Sequence, residues 1–124
     1  MTAGLTATLA NSALGTVTAS AGFAQLHIGD PGAAGTANIA SVATRQSVTW
    51  AAASGGTIAI SNVPSWGNWS GTSPQTLTHL SLWSLVTGGV FQFSLQLPGN
   101  GIVVVTGSPL SLTSLSVPLA PLAA

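Results

Sequence analysis

The chain has 124 residues and a formal net charge of zero at neutral pH, with one arginine, one aspartate and two histidines. Charged residues make up 2% of the chain and hydrophobic residues 46%, whereas ordinary domains are about 25% charged. This balance excludes a disordered chain, which needs low hydrophobicity. It also excludes electrostatic binding to nucleic acid, because nothing in the chain neutralises several phosphates.

The length fits a single domain spanning residues 1–124. Cysteine is absent, so the chain has neither disulfides nor a thiolate zinc site. No apolar run approaches the roughly 20 residues of a membrane-spanning helix, and no positive charge precedes Arg45 to open a secretory signal. Because an uncharged surface tends to associate, we expect it to be covered by copies of the chain, first of all in a trimer, or by a larger assembly.

The N-terminal segment, residues 1–20, begins with a short amphipathic pattern. Leu5, Leu9 and Ala13 share one helical face and Gly15 is placed to end the helix. The many threonines make a strand the alternative. The pattern therefore predicts a short N-terminal helix or a first strand.

From residue 22 onward the pattern is typical of β-strands separated by glycine and proline turns. The predicted strands are 22–28, 44–53, 57–63, 76–85, 90–97, 102–106 and 110–117. The predicted inward residues are Val48, Ile58, Ile60, Leu80, Leu82, Phe91, Phe93 and Leu95. In the last strand the apolar phase slips between Leu112 and Leu115, which predicts a β-bulge. The fold class is mainly β: a single antiparallel β-sandwich or jelly-roll-like domain, ending in an apolar tail at 118–124.

The stretch "GDPG" contains the only acidic residue, Asp30. Pro31 and Gly32 are typical turn residues, and the Asp30 carboxylate can accept backbone hydrogen bonds in the turn. A metal site formed with His27 and His79 is the alternative, but its spacing matches no known ligand pattern. We therefore interpret Asp30 as structural and predict no metal.

Arg45 is the only cation, and we predict an ion pair between it and Asp30. Binding of phosphate or carboxylate by Arg45 is the alternative. A serine nucleophile would need a context such as G-x-S-x-G, which is absent, and paired-carboxylate chemistry is impossible with one acid. The sequence predicts no catalytic residue, no cofactor and no enzyme.

The loop "SWGNWSG" places Trp66 and Trp69 between glycines. An exposed tryptophan pair can stack on sugars or anchor an interface. The alternative is that both rings cap the open end of the sandwich.

Four separated elements occur in order along residues 22–97: "LHIGDPG", "ATRQSVTWAAASGG", "THLSLW" and "GGVF". Together they resemble a module of tailed bacteriophages, especially those of actinobacteria, whose members read approximately L-H-T-A-D-P-G followed by A-R-Q-A-V-T-W-A-A-A-S-G-G. The chain departs from that pattern at Ile28, where threonine is usual. The resemblance implies a non-enzymatic virion protein.

Three functions stay open at this point. The first is a capsid decoration protein that binds the major capsid protein on the phage head. The second is a minor tail or fibre module, with Trp66 and Trp69 contacting host glycans. The third is a cellular adhesin or carbohydrate-binding module unrelated to phage. We expect the first, in the virion and without membrane or nucleic-acid partners.

Overall fold

A computed structural model describes residues 4–97, 99, 101–113 and 115–118. Within these ranges the chain is mainly β, with antiparallel sheets and one short N-terminal helix, as the sequence predicted. The predicted tail lies outside the described residues from position 119 onward. The elements are α1 (Ala7–Thr18), β1 (Phe23–His27), β2 (Gln46–Ser47), β3 (Thr57–Ala59), β4 (Ser65–Asn68), β5 (Gln75–Leu77), β6 (His79–Trp83), β7 (Phe91–Gln96), β8 (Ile102–Val104), β9 (Pro109–Ser111) and β10 (Ser116–Pro118).

Helix α1 begins where the side chain of Thr6 accepts a hydrogen bond from the backbone N–H of Leu9, a typical N-cap. Its buried face is formed by Ala10, Leu14 and Thr18, at a spacing of four residues.

The face that contains Leu9 and Ala13 is therefore not the one that α1 buries, since Leu9 is 54% exposed, and Leu5 precedes the helix. Gly15 lies inside α1 instead of ending it. The buried face includes the small residues Ala10 and Thr18, which the leucine spacing alone did not reveal.

Strands β2, β1, β6 and β7 form a four-stranded antiparallel sheet in that order. Its apolar face is formed by Ala24, Leu26, Leu80 and Leu82, each at most 3% exposed. The opposite face is also buried in the two central strands, although it carries Gln25, His27 and Ser81. Buried polar atoms need hydrogen-bond partners, so this second face requires a polar network.

Three two-stranded ribbons, β3–β10, β4–β9 and β5–β8, complete the described fold. The predicted strand 76–85 is divided at Thr78 into β5, which pairs with β8, and β6, which pairs with β1 and β7. The predicted strand 110–117 is likewise divided into β9 and β10, which belong to different ribbons. The slip in apolar phase between Leu112 and Leu115 therefore lies where the chain leaves one ribbon and enters another. A strand that changes partner also changes which of its side chains face the core.

The hydrophobic core lies between the apolar face of the sheet and the ribbons. The ribbons and adjoining loops contribute Trp69, Leu77, Val104, Leu110 and Leu115. Of the predicted inward residues, Val48, Ile58, Leu80 and Leu82 are buried, and Ile60, Phe91, Phe93 and Leu95 are half-buried at the rim. Within the described ranges, no helix is long and apolar enough to cross a membrane.

Candidate functional site

A chain of hydrogen bonds crosses the polar face of the sheet. His27 and Ser81 lie on neighbouring strands, and both are 0% exposed. The Nε2 atom of His27 lies 2.7 Å from the Oγ of Ser81, and the Nε1 of Trp83 donates to the same Oγ at 2.7 Å. The Nδ1 of His27 lies 2.8 Å from the carbonyl oxygen of Ala37. This polar network joins two strands to the covering loop, residues 28–45.

The partners determine which nitrogen of His27 carries the proton. A carbonyl can only accept, so Nδ1 donates to Ala37. The hydroxyl of Ser81 accepts from Trp83 and directs its own hydrogen to Nε2. This arrangement of donors and acceptors suits the neutral form of His27. Burial lowers the pKa of His27 from its ordinary value, against the opposing effect of the backbone groups of Ala37 and Asn38.

The pair formed by Ser81 and His27 has the hydrogen bond of a serine nucleophile and its base. In this fold, however, both side chains are fully buried and each of their polar atoms is engaged. A substrate carbonyl has no route to the hydroxyl. The arrangement satisfies the polar atoms on the second face of the sheet, and its role is structural.

Asp30 lies in the covering loop, where its Oδ1 accepts a hydrogen bond of 2.9 Å from the backbone N–H of Gly32. Gly32 has a φ of 77°, a conformation that glycine adopts without strain. Pro31 is buried beneath the turn. The carbonyl of Asp30 accepts from the side-chain amide of Asn38 at 2.9 Å, which closes the loop on itself. The carboxylate thus makes the contact expected of a turn residue.

Arg45 lies over the indole of Trp83, with its Cζ 3.9 Å from the ring centroid. Its Nη1 donates to the carbonyl oxygens of Leu85 at 2.9 Å and Gly88 at 2.7 Å. The predicted ion pair with Asp30 is therefore wrong within the described part of the chain. Burial lowers the pKa of Arg45. The guanidinium instead fixes the hairpin loop, residues 84–90, against the sheet.

The two tryptophans of the "SWGNWSG" loop have different surroundings. Trp69 is 2% exposed, and its Nε1 donates to the carbonyl of Thr72 at 2.8 Å. Trp66 is half-buried, and its Nε1 donates to the carbonyl of Thr44 at 2.9 Å. An exposed pair that stacks on glycans is wrong for Trp69, because its ring belongs to the core.

In the part of the chain that the structure describes, no group of three or more histidine, aspartate or glutamate side chains could hold a metal ion. Both ring nitrogens of His27 are already engaged. The Nδ1 of His79 lies 2.8 Å from the hydroxyl of Thr78. The alternative of a metal site that also includes Asp30 therefore has no support in the geometry.

Residues from three of the four motifs that carried the sequence resemblance meet around one indole. The rings of Trp83 and Phe91 pack with their centroids 5.4 Å apart, and Arg45 covers Trp83. Gly35 of the covering loop lies directly against Phe91, where an added Cβ would come within 2.5 Å of the ring. Three of the separated motifs thus form one packing unit, which attaches two loops to the sheet.

A family model described as Podophage GP4 fiber I protein gp80 matches residues 1–117 of the chain. The chain belongs to this family. Its members are described as fibre proteins of podophages, so the chain is a virion structural protein of a bacteriophage. No curated protein matches the chain.

Membership in the Podophage GP4 fiber I protein gp80 family bears on the two virion functions left open by the sequence. The match supports the tail or fibre alternative better than capsid decoration, which was the first expectation. The matched range includes α1 and all of the strands except the last residue of β10. The polar network and the packing unit around Trp83 therefore both lie within the part that defines the family.

Proposed function

We propose that this chain is a structural subunit of the phage tail fibre, with no catalytic role. The observation that carries the proposal is the match of a fibre-protein family over residues 1–117. The chemistry of the fold supports it, because the serine and histidine that could react are buried and engaged in the polar network.

In this proposal the fold acts as a building block. The described surface carries several exposed aliphatic side chains, among them Leu85, Val86 and Val90 of the hairpin loop, each more than half exposed. Aliphatic patches rimmed by uncharged polar groups are typical of surfaces that other proteins cover. Contacts with other fibre proteins and with further copies of the chain use such surfaces, and the major capsid protein is not among its partners.

The proposal is tested by locating the protein in the native particle. Gold-labelled antibody raised against the chain is applied to intact virions and imaged by electron microscopy. We expect label confined to the tail, with few copies in each particle. Label spread over the head, with the many copies that a decoration protein has, would overturn the tail-fibre assignment and restore the capsid alternative.

A further inference from the structure

Strand β7 is the longest strand in the described part of the chain, and it lies at an edge of the four-stranded sheet. Soluble proteins protect such edges with short strands, charges, prolines or bulges, because open backbone groups pair with other chains. The opposite edge follows this rule, since β2 has two residues. The sequence of β7, FQFSLQ, contains no charge, proline or glycine.

One protective feature is present at the start of β7. The pairing changes from Leu82↔Phe93 to Trp83↔Phe91, so Gln92 is the extra residue of a bulge. From Phe93 to Gln96 the pairing with β6 is regular. The open part of the edge is therefore this four-residue stretch.

The register determines which backbone groups are open. The N–H of Leu97 donates to the carbonyl of Thr78 at 2.7 Å, one step beyond the pair His79↔Gln96. Because the bonding residues of an antiparallel ladder alternate, the residues that exchange hydrogen bonds with β6 are 93, 95 and 97. The N–H and C=O of Ser94 and Gln96 therefore point away from β6. Among the described residues, no loop forms a backbone hydrogen bond with either of them.

We infer that the open edge of β7 binds the same edge of a second copy of this chain, in antiparallel pairing centred on Leu95. This register places Ser94 of each copy opposite Gln96 of the other copy. The two residue pairs together form about four backbone hydrogen bonds. It leaves the bulged Gln92 outside the contact. The inference depends on the geometry and surroundings of β7 and not on the tail-fibre proposal.

A second copy fits this edge because the edge is complementary to itself. Leu95 lies on the core face of β7 and is half-buried, so the pairing sets it beside Leu95 of the second copy. Ser94 and Gln96 lie on the opposite face, are exposed, and carry no charge, so two copies meet without like-charge repulsion. Identical patches related by a two-fold axis form the commonest kind of closed oligomer.

A groove beside the edge supports the same occupant. It has a volume of about 250 Å³ and is lined by Ile60, Leu95, Gln96 and Leu115, among others. An added strand covers this groove and brings the leucine of the second copy next to it. The contact thus buries apolar surface that a single chain leaves open to water.

The first test is the mass of the isolated protein by analytical ultracentrifugation over a dilution series. We expect a dimer that dissociates on dilution, because the contact is small. A monomer at every concentration would overturn the inference, and so would a trimer, the oligomer expected from the sequence.

The second test measures the register by disulfide trapping, which is clean because the natural chain has no cysteine. Opposed residues of a bonded pair have Cα atoms about 5.5 Å apart, inside the range of a disulfide. We expect a mixture of Ser94→Cys and Gln96→Cys to form a crosslinked heterodimer rapidly. Ser94→Cys alone should not crosslink, because its Cα atoms lie about 9 Å apart, beyond that range.

A matched control is a mixture of Ser94→Cys with Thr76→Cys, since Thr76 is an exposed residue of β5, away from the edge. Both positions of the trapping pair are exposed, so the cysteines leave the core unchanged, and circular dichroism checks the fold of each variant. Equal crosslinking in the control mixture, or crosslinking of Ser94→Cys with itself, would overturn the proposed pairing.

Discussion

Acidification is expected to destabilise this protein through one side chain, His27. In the fold its Nε2 accepts from Ser81, and its Nδ1 donates to the carbonyl of Ala37. A second proton on the ring must point from Nε2 at the oxygen of Ser81, which already accepts from Trp83. The hydroxyl hydrogen of Ser81 then loses its acceptor, and a charge is created in a site without exposure to water.

The sign of the effect follows from the lowered pKa of His27, whose largest cause is burial. In the unfolded chain a histidine has a pKa of about 6.5, so below that pH the unfolded state binds a proton that the folded state does not. The free energy of unfolding is therefore unaffected by His27 above about pH 6.5, and falls as the pH decreases below it. For one proton per chain the slope cannot exceed about 1.4 kcal/mol per pH unit, and it ends where the folded His27 itself titrates.

The assay is urea unfolding at a series of pH values from neutral down to the acid limit of the folded state. We expect the slope to persist in His79→Asn, which leaves the polar network intact. His27→Gln should be less stable at neutral pH and should lose most of the slope. A flat profile in the natural protein, or an unchanged slope in His27→Gln, would refute the assignment of acid sensitivity to this ring.

Three further predictions concern the two loops that cover the sheet. Asp30→Ala should lower the free energy of unfolding by about 0.5–2 kcal/mol, by analogy with helix caps. Asp30→Asn keeps a hydrogen-bond acceptor and should be tolerated. Urea unfolding midpoints compare the two variants. Arg45→Lys should lower the free energy of unfolding by about 1–2 kcal/mol and speed amide hydrogen exchange in the hairpin loop. The reason is that an ammonium group cannot both stack on the indole and donate to two carbonyls. Unchanged exchange rates would contradict the role of the guanidinium. Gly35→Ala should lower the free energy of unfolding by at least about 1 kcal/mol more than Gly55→Ala does. Both positions have positive φ, but only at Gly35 would the new Cβ meet the ring of Phe91. Equal urea midpoints for the two variants would count against this close contact.

The strands were largely predictable because apolar and polar residues alternate along them. The alternation around Leu80 and Leu82 predicted buried positions, and both residues are 0% exposed. The same alternation does not show which strand is the partner. The breaks at Thr78 and between β9 and β10 were therefore missed, since a change of partner depends on distant segments.

The residues of the candidate site were recognisable only in part. The turn at Asp30 is local, and local turn chemistry can be read from a tetrapeptide. The contacts of His27 with Ser81, and of Arg45 with the hairpin loop, join residues that are far apart in the chain. A signal for the first contact did exist: His27 shares a predicted strand face with Gln25, and two polar residues on one face of a buried strand require partners.

The contacts that hold Arg45 have a consequence for how the surface of this fold meets other molecules. The only cation of the chain is held against Trp83 and two carbonyl groups, and the only anion is a turn residue. The surface of such a chain therefore has almost no electrostatic field. Long-range steering of association requires a field, so encounters with this surface proceed at a rate set by diffusion and contact, whatever the charge of the approaching molecule or the ionic strength of the medium.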